Sequence, residues 1–280
     1  MTHPALQAGG TAVVTGAASG IGRAAALRFA RLGLDVLLAD QAGPALQDAA
    51  AAAQREAAAS GGTVKAHACD VSDAGQLGAL REVAASLRPV AVLMNNAGVG
   101  DNPGKPWENL EGWRSLMAVN LWGVINGTQA FVPAMLGAGR PGLVINTGSK
   151  QGITLPPGNS AYNVSKAAVK AYTELLAHEL RETGRPVSAH LLIPGFTFTG
   201  MTGAAEKPKD AWTAEQVIDF MLASLERGEF YILCPDHAVT RAMDEQRMRW
   251  MAGDIIDNRP ALSRWHPDWK DRFAAFMAGS

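Results

Sequence analysis

A doubly wound, parallel α/β sheet is the fold this 280-residue sequence predicts, on three observations. Short apolar runs alternate with longer helical stretches from residue 11 to residue 193. A glycine-rich turn, Thr15-Gly16-Ala17-Ala18-Ser19-Gly20-Ile21-Gly22, joins the first run to the first helix. Each later polar motif falls at the carboxyl end of an apolar run, where open α/β sheets bind their ligands. Repeated βα units with near-continuous apolar strands imply right-handed crossovers and a sheet covered on both faces.

The elements follow in order. Residues 11–14 form the first strand and 20–32 the first helix. Residues 35–40 form the second strand, ending at Asp40. The alanine-rich stretch 44–59 is helical by propensity, and Gln47, Asp48, Arg55 and Glu56 give it a polar outer side. Strand 64–68, helix 73–87 and strand 90–94 come next. A helix over about 108–136 leads to strand 142–146, and a long helix over about 160–183 leads to strand 187–193. Past Thr199 a loop rich in Gly, Lys and Pro covers 200–212, a helix 213–227 and a last strand 229–234. A helix over about 238–252 and an aromatic tail with Trp250, Trp265 and Trp269 complete the chain. No repeat or long linker divides it. The chain reads as one domain, residues 1–280, with a core at 10–199, a loop and helix at 200–228, and a last strand with its extension at 229–280.

Composition narrows the function. Twenty-five basic residues face 26 acidic ones with no block of like charge, which argues against nucleic acid as a partner. No apolar run is long enough to span a membrane, and residues 1–10 lack the pattern of a signal peptide. The two cysteines, Cys69 and Cys234, sit in apolar runs and read as buried thiols in a reducing cytoplasm. His237 and His266 have no companions at metal-ligand spacing, so no metal is expected.

The glycine turn carries chemistry. Gly16, Gly20 and Gly22 allow a tight turn and close backbone approach, and Ser19, Gly20 and Ile21 open a helix whose free N–H groups suit a pyrophosphate. Asp40 at the end of the second strand can accept both hydroxyls of an adenosine ribose and repels a 2′-phosphate. Ser19 and Gln41 occupy places where a phosphorylated cofactor would want a base, so the expected cofactor is NAD. Further on, Tyr162 and Lys166 stand four residues apart, one turn on one helix face. A phenol ionises near ~10, so it needs help to move protons at neutrality, and an ammonium beside it supplies that help.

Together with Asn95-Asn96-Ala97-Gly98 and Ser149, these motifs resemble the short-chain dehydrogenase/reductase family over residues 11–199. The resemblance implies a Rossmann-like, single-domain NAD-dependent enzyme that interconverts a secondary alcohol and a ketone by hydride transfer. It implies Tyr162 as acid/base, Lys166 lowering its pKa and binding the nicotinamide ribose, Ser149 polarising the carbonyl and Asn120 in a proton relay. It implies that Asp70 bonds the adenine amino group, Val71 packs on the ring, and Asn96, Ala97 and Gly98 line the ribose. Pro194, Gly195, Thr197 and Thr199 resemble the segment that grips the carboxamide. A helix cap remains the other reading of Asp70, with Ser72 and Asp73 competing for it.

The substrate is expected to be a hydrophobic or aromatic alcohol or ketone, from candidate pocket residues Val99, Gln151, Ile153, Leu155, Asn159, Phe196, Met201 and Trp212. Lys150 belongs to that set but reads as a solvated lysine. The tail tryptophans read as anchors rather than pocket lining. Relatives pair their long helices across two-fold axes, so a homodimer or homotetramer is expected through Ala167, Ala168, Ala171, Leu175 and Leu176. Two other readings remain: a catalytically silent NAD-sensing protein, and an NAD-dependent epimerase or dehydratase of related fold.

Overall fold

The structure, a computed structural model, describes residues 3–202 and 205–279. Seven parallel strands form one sheet: β1 Thr11–Thr15, β2 Asp35–Asp40, β3 Val64–Ala68, β4 Val90–Asn95, β5 Gly142–Thr147, β6 Val187–Ile193 and β7 Tyr231–Leu233. Their order across the sheet is β3-β2-β1-β4-β5-β6-β7. The chain therefore reverses its direction of travel between β1 and β4, and a crevice opens there at the strands' carboxyl ends.

Helices cover both faces: α1 Gly20–Arg31, α2 Pro44–Ala57, α3 Ala74–Ala84, α4 Leu110–Met117, α5 Gly123–Gly137, α6 Gln151–Thr154, α7 Ser160–Glu182, α8 Ala214–Glu226, α9 Arg241–Ile256 and α10 Lys270–Ala278. Alternation along the strands feeds two separate cores. Ala12, Val14, Val36 and Leu38 face a cluster with Phe29, Leu46 and Met221, on the side of α1, α2 and α8. Val13, Leu37 and Ala39 face the other, with Leu77, Leu80 and Phe131, on the side of α3 and α5. Each of the larger side chains here, the valines, leucines, phenylalanines and Met221, contributes ~1.5–3 kcal/mol when fully buried. Only the edge strand β3 is half exposed, and it carries Lys65 and His67 among its apolar residues.

Several elements differ from the sequence reading. The helix expected over 108–136 is broken by a π-helical turn, Ala118–Trp122, between α4 and α5. Such wide turns gather at functional sites because they re-aim side chains, and this one contains Asn120. The last strand contracts to three residues: before it Glu229 N–H still donates to Ser224 O of α8 at 3.0 Å, and after it Asp236 turns the chain, accepting from the Ala238 and Val239 N–H groups at 3.1 and 2.7 Å. Thr240 then caps α9, accepting from Met243 N–H at 3.3 Å, so the helix starts later and runs longer than expected. Within the loop expected over 200–212, a short 3₁₀ turn covers Gly200–Thr202, and residues 203 and 204 lie outside the described residues.

The tail folds on itself. Trp250 is buried, with Trp269, Phe273 and Phe276 packed around it at ring distances of 6.2, 5.3 and 5.2 Å. The Arg259 guanidinium lies 4.7 Å over its ring, and its indole N–H donates to Ser263 Oγ at 2.8 Å.

Candidate active site

The turn between β1 and α1 is shaped by steric necessity. Gly16 and Gly20 have φ of 66° and 52°, in the left-handed region that glycine occupies without strain. A Cβ on Gly22 would meet Gly16 O at 2.2 Å, so glycine is the residue that lets the helix start against the turn. The Ser19 side chain makes no cap, which leaves the first N–H groups of the twelve-residue α1 without a side-chain partner. Free donors at the positive end of a helix dipole, in a cradle of bare backbone, fit a pyrophosphate.

Polar side chains brace this turn. Asn96 donates from Nδ2 to Thr15 O and Gly16 O at 3.2 and 3.4 Å, and its Oδ1 accepts from Thr147 Oγ1 at 3.2 Å. The turn is thereby tied to both β4 and β5. Asp40 accepts from Ala18 N–H at 2.8 Å and Gln41 N–H at 2.7 Å, which fixes its carboxylate at the cleft wall. Asp70 accepts from both the backbone N–H and the hydroxyl of Ser72, at 2.9 and 2.7 Å. The helix cap is Asp73, which accepts from Gly75 and Gln76 N–H groups, so Asp70 stays on the cleft wall beside Val71.

Across the crevice, β5 and α7 bring Ser149, Tyr162 and Lys166 together. Asn159 caps α7 by accepting from Tyr162 N–H at 3.2 Å, which sets where the phenol enters the cleft. Burial pushes the Tyr162 phenol above its usual pKa, and a hydrogen bond with the Ser149 hydroxyl opposes that rise. Burial pushes the Lys166 ammonium down to about 8. Its Nζ donates to Thr147 O at 2.8 Å and lies 5.7 Å from the centre of the Tyr162 ring.

Asn120 is fully buried in the π turn and lies behind the cleft wall. Its Oδ1 accepts from Val99 N–H at 2.8 Å, and its Nδ2 donates to Val99 O and Ser165 Oγ at 3.0 and 3.2 Å. A Cβ on Gly98 would sit 3.3 Å from Asn120 Oδ1 and 3.6 Å from Lys166 Nζ. Glycine at this position keeps open a gap between the amide and the ammonium.

One cleft of about 950 Å³ joins these parts. Ser19, Gly20, Ile21, Ala97, Pro194, Gly195, Thr197 and Thr199 line it with the residues above, while Gly22 lies behind the turn and acts by its lack of a side chain. Of the candidate substrate contacts, Val99, Lys150, Gln151, Asn159, Phe196 and Met201 reach the cleft. Trp212 does not: it packs against Phe220 and His237, with ring centres 5.8 and 6.5 Å away. Ile153 joins a small core with Val169 and Leu233, and Leu155 turns away in a left-handed conformation that ends α6. Cys69, Asp101 and Thr147 also line the cleft, although the sequence reading assigned none of them a place in the site. Cys69 follows the end of β3 and Thr147 ends β5, whereas Asp101 stands well past β4 and carries no such signal.

Lys150 is not a solvated lysine. Its side chain is 14% exposed, and its Nζ lies 2.6 Å from Asp244 Oδ2 and 3.3 Å from Asp236 Oδ2. Both carboxylates come from the segment after β7, more than 80 residues away in sequence. Nothing local could reveal that pairing.

Comparison with known proteins agrees with this geometry. Residues 10–210 match the short chain dehydrogenase family. A 1-deoxy-11-beta-hydroxypentalenate dehydrogenase from Streptomyces exfoliatus is 36% identical over 262 residues, covering 91% of this chain and 93% of that protein. A short chain dehydrogenase/reductase from Burkholderia phymatum, solved in complex with NAD, is 31% identical with a TM-score of 0.81, covering 92% of this chain and 97% of that one. A short-chain dehydrogenase from Sphingobium yanoikuyae, solved in complex with NADPH, is 28% identical with a TM-score of 0.73, covering 89% and 93%. With a glycine cradle that fits a dinucleotide, a family match over more than half of its length and a relative this similar across nine-tenths of it, the chain belongs to the short-chain dehydrogenase family of oxidoreductases.

Proposed function

We propose that this protein is an NAD-dependent dehydrogenase that interconverts a hydrophobic secondary alcohol and its ketone. The observation that carries this reading is the meeting of Ser149, Tyr162 and Lys166 with the glycine cradle in one cleft. Ser149 donates a hydrogen bond to the substrate oxygen, and Tyr162 gives that oxygen its proton or takes it away. Lys166 holds the nicotinamide ribose and, when charged, favours the phenolate. Asn120 closes the relay from behind, holding Val99 and Ser165 beside the gap next to Lys166. A bound nicotinamide supplies or removes the hydride at the carbinol carbon. The apolar side chains of Val99, Phe196 and Met201 at the cleft favour an alicyclic or aromatic substrate, in keeping with the hydroxypentalenate dehydrogenase among its relatives. The test follows cofactor absorbance over a panel of alicyclic and aromatic secondary alcohols and ketones. No turnover of any member with either cofactor would sink the reading.

Asp40 favours NAD because its fixed carboxylate meets the ribose hydroxyls and would face a 2′-phosphate charge to charge. Relatives of this fold occur with either cofactor, so the choice rests on this residue. The wild type should prefer NAD over NADP by about tenfold or more in kcat/KM, and Asp40→Ala should weaken NAD and shrink that ratio. Equal efficiency with both cofactors in the wild type contradicts the assignment.

We also read the protein as a cytoplasmic homodimer or homotetramer. No helix among the described residues is long and apolar enough to cross a membrane, and Cys69 and Cys234 are free, buried thiols. Val164 and Leu175 on α7 and Trp122 on the adjoining π turn are 47%, 65% and 53% exposed. Large apolar side chains left on neighbouring helices suit a self-complementary contact. Sedimentation at micromolar concentration should show a dimer or larger, and a fully active monomer would contradict this.

A further inference from the structure

Lys150 joins three parts of the chain that are distant in sequence. Its backbone follows Ser149, whose Oγ accepts from Gln151 N–H at 3.2 Å. Its own N–H donates to Pro194 O at 3.4 Å, in the segment after β6. Its ammonium lies between Asp236, in the turn after β7, and Asp244, in the first turn of α9. Asp236 reaches back: its Oδ2 also accepts from Phe196 N–H at 3.2 Å. The fit is close, because a Cβ on Gly195 would stand 2.6 Å from Asp236 Oδ2 and 3.1 Å from Lys150 Nζ. Both carboxylate side chains are about 95% buried. Burial pushes the Asp244 carboxyl up, and Lys150 and Arg247 oppose that rise.

A buried cation bridging two buried carboxylates is weak evidence for stability but a strong constraint on geometry, because moving any member strands a charge. Here the constrained members are the neighbour of Ser149 and the backbone of Gly195 and Phe196, which line the same cleft. Among the described residues, no hydrogen bond or ion pair joins Asp40 or Asp70, in the adenosine half of that cleft, to the triad.

We propose that Lys150 is a positioning residue whose ion triad with Asp236 and Asp244 sets the nicotinamide-facing loop at Gly195 and Phe196 relative to Ser149, so that the C-terminal extension is part of the reaction site. This rests on the reading of the cleft as a nicotinamide site. It assigns the extension a function that the tail's aromatic packing alone does not suggest.

The test separates the two halves of the cofactor. ADP-ribose carries the adenosine, pyrophosphate and ribose but lacks the nicotinamide ring. Calorimetric titration measures NAD and ADP-ribose affinity on the wild type, on Lys150→Met and on Asp244→Asn. Lys150→Met should weaken NAD by about tenfold while changing ADP-ribose by less than about twofold, since stranding buried carboxylates displaces only the loop they hold. Asp244→Asn keeps the side-chain shape and should move the same ratio in the same direction, which gives a reading if Lys150→Met does not fold. In active variants, kcat at saturating cofactor should fall as well. A ratio of NAD to ADP-ribose affinity equal to that of the wild type overturns the proposal, whether both affinities hold or both fall together. A wild type that binds neither NAD nor NADP removes the nicotinamide reading itself, and this proposal with it.

Discussion

Tyr162→Phe should lower turnover by at least ~10²-fold while leaving NAD affinity nearly unchanged, the scale on which a positioned acid/base contributes. The ring keeps its place on α7 because Asn159 caps the helix through the backbone of residue 162, which the substitution does not touch. Only the hydroxyl leaves, and with it the hydrogen bond to Ser149. The pH profile sharpens the expectation. Burial holds the phenol protonated at neutral pH, so the wild-type site is ready to donate a proton to a ketone. Alcohol oxidation needs the deprotonated form, so its rate should climb as pH rises from about 7 toward the phenol's pKa, whereas a variant without the phenol should lack that climb. Near wild-type turnover by the phenylalanine variant, or the same pH dependence in both proteins, would remove Tyr162 from the chemistry.

The parts of this site that could be read from sequence are those built from local spacing. The glycine turn is legible because 2.2 Å between a Gly22 Cβ and Gly16 O leaves room for no other residue, and such exclusion shows as a motif. Tyr162 and Lys166 are legible because a helix converts four residues into one face. The strands were legible because those buried on both faces are continuously apolar, and the edge strand β3 betrays itself through Lys65 and His67. What stayed hidden depends on contacts between distant segments. Lys150 looks solvated until Asp236 and Asp244 are folded onto it. Trp212 looks like pocket lining until Phe220 and His237 take up its ring. The π turn carries no helix breaker in Ala118–Trp122, and it packs, like α4, against α7, a helix some 40 residues further along the chain. The tail's aromatic count announced packing, but only the fold shows that Trp250 collects it, through Arg259, Phe273 and Phe276.

Lys166→Met should give an enzyme that is both less active and more stable. Activity should fall by at least ~10²-fold, because the charge that favours the phenolate is gone. Stability moves the other way because this ammonium is buried at a cost. Its pKa in the folded protein is about 8, against 10.5 for a free lysine side chain. Below pH 8 both states hold the proton, and the folded state bears the whole cost of the buried charge, on the order of 3 kcal/mol. Between the two values the unfolded chain binds more protons than the folded one, so wild-type stability rises with pH across that window and the cost is gone above it. Methionine matches the apolar stem of lysine out to Cε and lacks the ammonium, so it escapes the cost at every pH. Against that gain, Thr147 O loses its donor, at about 1 kcal/mol. The variant should therefore be more stable than the wild type by roughly 2 kcal/mol at pH 7, with the difference shrinking toward zero or reversing by about pH 10.5. Urea denaturation of both proteins at several pH values reads this directly, because other titrating groups cancel in the difference. A variant that is less stable at pH 7, or a gap that widens as pH rises, would mean that the buried ammonium is not held against its own solvation. In that case Lys166 would not be a charge kept in place for the reaction at the expense of the fold.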